Sequence, residues 1–246
     1  FSLASLMTRR RYAVLTLDHP GTGLNALPEQ IPFFTPREAA DMLAAGFESM
    51  VTEAQLSGVR RIGVGHSMGG MILTLLQARH DMFERIALLG SSGRGLDWGL
   101  SEEERSYVGK PDELERDLEK LVFARFGTLF PAGLGGPSGK SITFGGSSED
   151  LTARLREIGT ALYAAGGTTS MVQGGFAPEA AAIDVPILFA FGDHDIGAPP
   201  EEAPQDFPNA ASIETHVLPA TGHNHFAFPS IVGLCEKLDD WIGPLG

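Results

Sequence analysis

Residues 65–70 read Gly-His-Ser-Met-Gly-Gly, and they lie where an apolar strand pattern gives way to an apolar helix pattern. Upstream is Arg61-Ile62-Gly63-Val64, short and partly β-branched. Downstream, Met71-Ile72-Leu73-Thr74-Leu75-Leu76 opens a run that continues to about His80. Gly65 and Gly69 stand two residues to either side of Ser67, so the chain can turn sharply with other backbone close by. Such a turn lifts the Ser67 hydroxyl to the tip of a sheet, at the N-terminus of a helix whose dipole favours negative charge. With 31 glycines in 246 residues, a bare Gly-x-Ser-x-Gly can arise by chance, and the strand–turn–helix setting is what gives it weight.

The rest of the chain alternates in a way that suits this junction. Tyr12–Leu17 reads as a buried strand ended by the turn formers Asp18-His19-Pro20-Gly21-Thr22-Gly23. Thr35-Pro36-Arg37-Glu38 is a capping box with proline at the first helical position, and it opens a helix to about Leu56. With the strand and helix around Ser67 and a further strand at Arg85–Leu89, the order is β-α-β-α-β, as for a parallel sheet with crossover helices. Between about 93 and 182 the pattern changes to charged helical pieces (Ser101–Tyr107, Asp112–Phe126, Ser148–Ala165) separated by glycine-rich breaks. Strand signals resume at Val185–Phe191 and Ser212–Leu218, around a short helix near Pro200–Phe207, and a last helix runs from about Phe226 to Trp241. The expectation is an α/β fold, a mostly parallel doubly wound sheet, with residues 1–92 and 183–246 as core. Residues 93–182 form a helical cap inserted after the third strand.

Charge and cysteine content narrow the partners. A net charge of −13 disfavours nucleic acid or an anionic membrane as the main partner, and no apolar run is long enough to span a bilayer. A single cysteine, Cys235, excludes an internal disulfide and a cysteine-rich metal site; it reads as a small buried hydrophobe on the last helix. His19, His80, His194 and His216 show no metal-ligand spacing, so no metal is expected. Gly21 and Gly23 make half of a dinucleotide fingerprint, but no third glycine or distant acidic residue completes it, so no cofactor is expected. Phe1–Met7 looks like the tail of a helix already under way and lacks the layout of a secretory signal, so upstream residues are expected before Phe1 and this end does not set the location; a cytoplasmic protein is the expectation.

Taken together, four places resemble the α/β-hydrolase family: Asp18–Gly23, Gly65–Gly70, Phe191-Gly192-Asp193-His194-Asp195, and Thr221-Gly222-His223. They occur in the family's chain order of serine, acid and histidine, and are similar to lid-bearing serine esterases. The resemblance implies Ser67 as nucleophile, His223 as base and Asp195 as acid, with the Met68 N–H in the oxyanion hole. His225 is the competitor of His223, but the family's base directly follows a glycine in this loop. Asp195 fits the family's Gly-x-x-Asp spacing from Gly192, whereas Asp193 comes early and suits a turn. Asp18 is expected to fix its turn, and His66 to pack behind the serine.

The chemistry so implied is acyl transfer. A serine hydroxyl is a weak nucleophile until a base takes its proton, and the acid orients and stabilises the resulting imidazolium. The expected activity is a serine hydrolase cleaving a carboxylic ester or lactone through an acyl-enzyme, on a small apolar substrate, possible as a homodimer. A C–C bond hydrolase of the same fold is the alternative, and a non-catalytic ligand-binding homologue a third reading. Leu114, Leu118, Leu121, Phe123, Phe126, Leu129, Phe130 and Met171 could line an apolar acyl pocket or simply pack the cap onto the core. The family's second oxyanion donor precedes the Asp18 turn by some distance, and nothing in residues 1–17 resembles that loop. The family also places a strand between those expected at Tyr12–Leu17 and Arg61–Val64.

Overall fold

A four-stranded parallel sheet, in the order β1-β2-β3-β4, organises the chain: β1 (Ile62–His66), β2 (Arg85–Leu89), β3 (Ile187–His194) and β4 (Ile213–Gly222). The structure is a computed structural model, describing residues 2–25, 31–95, 99–132 and 161–244, with single positions at 150, 153, 157 and 159. Eight α-helices are described: α1 (Leu3–Arg9), α2 (Pro36–Glu53), α3 (Met68–His80), α4 (Glu102–Arg105), α5 (Pro111–Phe126), α6 (Ala164–Met171), α7 (Ala177–Ala182) and α8 (Ile231–Ile242). Parallel neighbours need crossover connections, and α3 supplies the one between β1 and β2.

Both faces of the sheet are covered, as a parallel sheet requires. Side chains alternate along a strand, so Ile86 and Leu88 of β2 and Ile187, Phe189 and Phe191 of β3 enter one core with α2, α3 and α5–α7. The intervening Ala87, Leu89, Leu188 and Ala190 enter a second core with α1 and α8. Cys235 of α8 is fully buried there. The doubly wound α/β architecture is therefore present.

Most element starts follow from local chemistry. Thr35 caps α2 with its side chain accepting from the Glu38 N–H, while Glu38 returns a bond to the Thr35 N–H and Pro36 fills the first turn. A stretch of helices, α4 to α7, lies between β2 and β3, and the helix expected at 148–165 falls mostly outside the described residues. Phe130 and Tyr163 from this stretch pack on Phe34, just before α2. Tyr163 stacks on it with centroids 4.9 Å apart and donates its hydroxyl to the Phe34 carbonyl at 2.7 Å.

One expectation near the start of the chain does not hold. Residues 12–17 form no strand, and the helical stretch accordingly follows the second strand of the sheet rather than a third. The physical reason is that a strand exists only against a neighbour: Tyr12–Leu17 has no ladder partner among the described residues, and Val14 and Leu17 are exposed. Helix α1 begins at Leu3 in the described residues. Ser2 is extended at φ −146° and caps α1, its hydroxyl accepting the Ser5 N–H at 3.3 Å.

Candidate active site

Ser67 sits between β1 and α3 with φ +53° and ψ −122°, a strained conformation for a residue with a Cβ. Its N–H donates to the Leu89 carbonyl at 2.8 Å, which extends the β1–β2 ladder one residue and then releases the chain into α3. The close approach that glycine permits is at Gly65 and Gly70: a Cβ on Gly65 would lie 2.4 Å from the Gly69 carbonyl oxygen, and one on Gly70 2.5 Å from Ser91 Cβ. Gly69 itself faces open space, so the tight contact lies one residue later than the Gly-x-Ser-x-Gly spacing suggests.

The other two expected residues arrive from the far side of the sheet. Gly192, near the end of β3, is where a side chain would strike the Thr221 carbonyl oxygen at 2.0 Å, so the end of β4 can cross directly over it. Asp193 secures that crossing by accepting the Ala220 and Thr221 N–H groups, each at 2.8 Å, and these bonds hold its carboxyl below the usual range. Asp193 is thus the turn residue expected of it. The crossing sets Asp195 beside His223: His223 Nδ1 donates to Asp195 Oδ1 at 2.6 Å, and His223 Nε2 lies 2.8 Å from Ser67 Oγ. Gly90, at φ +54° after β2, lies under the pair, where a Cβ would come within 3.1 Å of His223 Nδ1.

Ser67, His223 and Asp195, chosen from the sequence, are therefore one hydrogen-bonded line. His223 and Asp195 are almost wholly buried. Burial alone would raise the Asp195 carboxyl, but the hydrogen bonds from His223 and His225 outweigh it and hold the group well below the carboxylate range. Asp195 is further fixed by the Gly192 N–H on Oδ2 at 3.1 Å and the Ile196 N–H on Oδ1 at 2.8 Å. Such a line can pass a proton from the hydroxyl to the imidazole while the carboxylate stabilises the imidazolium. Met68 opens α3, and its N–H has no partner among the described residues.

His66 lies behind Ser67 as expected, its Nε2–H donating to the His223 carbonyl at 2.6 Å. Its ring packs against those of His223, His225 and Phe226, and burial, followed by repulsion from His223 and His225, lowers it to about 3. Asp18 does fix its turn, accepting the Leu24 N–H at 3.0 Å. His225, weighed in the sequence only as the competitor of His223 for the base, has a contact with Asp195 that sequence reasoning missed. It is completely buried, and its Nε2–H donates to Asp195 Oδ2 at 2.9 Å. The His-x-His spacing at 223–225 was the available signal.

A small cleft opens at Ser67, lined by Met71, Gly90, Ser91, Ser92, Gly95, Ser170 and Phe176. None of the eight apolar residues named as candidate pocket lining reaches it. Leu114, Leu118, Leu121, Leu129 and Met171 are buried in the core, Phe126 and Phe130 pack against it, and Phe123 is exposed. Helical spacing puts such residues on one apolar face, and that face is used for packing. Helix α6 passes close over the site: a Cβ on Gly166 would lie 2.8 Å from Met68 Sδ. Among the described residues, no three His, Cys, Asp or Glu side chains converge as metal ligands, and no helix is long and apolar enough to cross a membrane.

A parallel α/β sheet with a strained serine between its first described strand and the helix α3 that follows, and a histidine and an aspartate from its last loops, defines an α/β-hydrolase architecture. The chain belongs to the alpha/beta hydrolase family, whose model matches residues 1–232. Solved structures agree on the fold. The monoacylglycerol lipase of Paleococcus ferrophilus is 18% identical at a TM-score of 0.66, over 98% of this chain and 86% of that one. The enol-lactonase of Burkholderia xenovorans is 19% identical at a TM-score of 0.55, over 92% and 78%. A thermophilic esterase from Thermogutta terrifontis is 18% identical at 0.54, over 92% and 77%. At these identities the likeness bears on fold alone. No curated protein sequence matches the chain.

Proposed function

We propose that the protein is a serine hydrolase in which Ser67, His223 and Asp195 form a catalytic triad acting on a short-chain carboxylic ester or lactone through an acyl-enzyme. The observation that carries this reading is the unbroken line from Ser67 Oγ to His223 Nε2 at 2.8 Å and from His223 Nδ1 to Asp195 Oδ1 at 2.6 Å. His223 takes the Ser67 proton as Oγ attacks the carbonyl carbon. The proton then passes to the departing alcohol oxygen as the acyl C–O bond breaks. Water, deprotonated in turn by His223, attacks the acyl carbon, and Ser67 leaves with its proton restored. The Met68 N–H, at the positive end of α3, is one donor to the oxyanion.

Substrate size is argued from the cleft. Met71, Gly90, Ser91, Ser92, Gly95, Ser170 and Phe176 close in on Ser67 and leave little room beside the nucleophile, which favours a small acyl group. Residues 93–182 act as a cap in this reading, with Ser170 and Phe176 reaching the cleft from that stretch. The test is a panel of p-nitrophenyl esters. Acetate or butyrate should be hydrolysed with kcat/KM at least ~100-fold above palmitate, and Ser67→Ala should remove at least ~1,000-fold of the rate. Hydrolysis that survives in Ser67→Ala would refute the triad, and a preference for palmitate would refute the short acyl site.

A further inference from the structure

Asp195 holds more donors than one imidazole needs for its orientation. Oδ1 accepts from His223 Nδ1–H and the Ile196 N–H, while Oδ2 accepts from His225 Nε2–H at 2.9 Å and the Gly192 N–H at 3.1 Å. A carboxylate can only accept, so both imidazoles are donors toward it. His225 is completely buried, and its Nδ1 has no partner among the described residues. With the proton on Nε2, Nδ1 keeps only a lone pair, and no buried N–H is left unpaired. His225 therefore contributes a fixed N–H donor to the carboxylate oxygen that His223 does not use.

Resting on the serine-hydrolase reading above, we propose that His225 is a positioning residue, which anchors Asp195 Oδ2 so that Oδ1 stays aimed at His223 and which moderates the negative charge that His223 feels. The titratable groups touching this assembly are few. His66 comes from the end of β1, with ring centroids 5.0 Å from His223 and 5.2 Å from His225; Asp195 comes from the loop after β3; the two histidines come from the loop after β4. His66, lowered to about 3, adds no charge near neutral pH. Without the His225 donor, Oδ2 keeps only the Gly192 N–H. The carboxylate then turns more freely, which slows proton transfer, and its charge acts more fully on His223, which favours the imidazolium.

Two variants separate donation from packing. His225→Phe fills the space with a ring that has no donor, and His225→Gln restores an N–H near the Nε2 position. In His225→Phe, kcat on p-nitrophenyl acetate should fall roughly ten- to a hundredfold with KM within about twofold, and the acidic limb of the kcat/KM profile should move up by ~0.5 pH unit. His225→Gln should recover most of kcat and return the limb. Proton NMR gives a readout independent of turnover. The wild-type protein should show downfield imidazole N–H resonances from both bonds to Asp195, and His225→Phe should lose one and shift the other. Folded His225→Phe with unchanged kcat, profile and His223 resonance would overturn the proposal. So would equal losses in both variants tracking a common fall in Tm, which is the mark of packing alone. A wild-type protein with both resonances but no Ser67-dependent hydrolysis would sink the hydrolase reading instead, while the resonance shift would still decide the role of His225.

Discussion

A hydroxyl, two imidazoles and a carboxylate at the carboxyl ends of four parallel strands are held there by residues with almost no side chain. Gly192 lets β4 cross β3, Gly90 lets the Asp195–His223 pair lie over β2, and Gly65 lets α3 leave β1 at close quarters. The choice of Asp195 over Asp193 was legible because a fixed spacing from Gly192 separates an acid from a turn residue. His225 was not legible, because a histidine two residues past another can face either way until the loop is folded. His66 carries its own consequence. Its folded value of about 3 lies below the ordinary histidine value, so between about pH 6.5 and 3 the unfolded chain binds a proton that the folded one refuses. Stability should therefore fall as pH drops through that window, by at most about 1.4 kcal/mol per pH unit, since His66 is partly open to solvent. Urea midpoints measured from pH 7 to 4 should slope less steeply in His66→Gln than in the wild type. Equal slopes would remove His66 as the source.

At the scale of elements, periodicity and caps located most helices and strands to within a few residues. Tyr12–Leu17 misled because its apolar content describes a strand only when a neighbour supplies the ladder, and none does among the described residues. The C-terminus of α2 ends in a motif that its sequence does not suit. The Leu56 N–H bonds the Val51 carbonyl at 2.9 Å and the Gln55 N–H bonds the Thr52 carbonyl at 3.1 Å, which requires Gln55 at φ +56°. Gln55→Gly should raise stability by about 0.5–1 kcal/mol, read as a higher urea midpoint at constant m. A second element-level device ties α2 to the helices between β2 and β3. Arg37 reaches Glu179 of α7 through Nε at 2.5 Å and Nη2 at 3.0 Å, and Glu115 of α5 through Nη1 at 2.6 Å. The Arg37 and Glu179 side chains are mostly buried. Arg37→Ala would leave two carboxylates facing each other unpaired, and should cost about 2 kcal/mol in thermal or urea unfolding, with Arg37→Lys recovering only part because lysine lacks the fork.

Over the whole molecule, two cores press on one sheet. The smaller joins α1 and α8 from opposite ends of the chain, and the larger joins α2 and α3 to the helices between β2 and β3. Those helices could be read from the sequence as a separate stretch, but their use could not: an apolar helical face is the same pattern whether it packs on a core or lines a pocket. The cleft at Ser67 is instead framed by residues from several separate segments, Met71, Gly90, Ser91, Ser92, Gly95, Ser170 and Phe176, which share no periodic signal. All of these layers serve one claim, that Ser67 is an activated nucleophile. Intact-protein mass spectrometry after exposure to a fluorophosphonate tests it most directly, with Ser67→Ala alongside. The account predicts one covalent adduct per chain, mapped to Ser67 and missing from the variant. A wild-type protein that stays unmodified while folded, or an adduct that persists in Ser67→Ala, would contradict it.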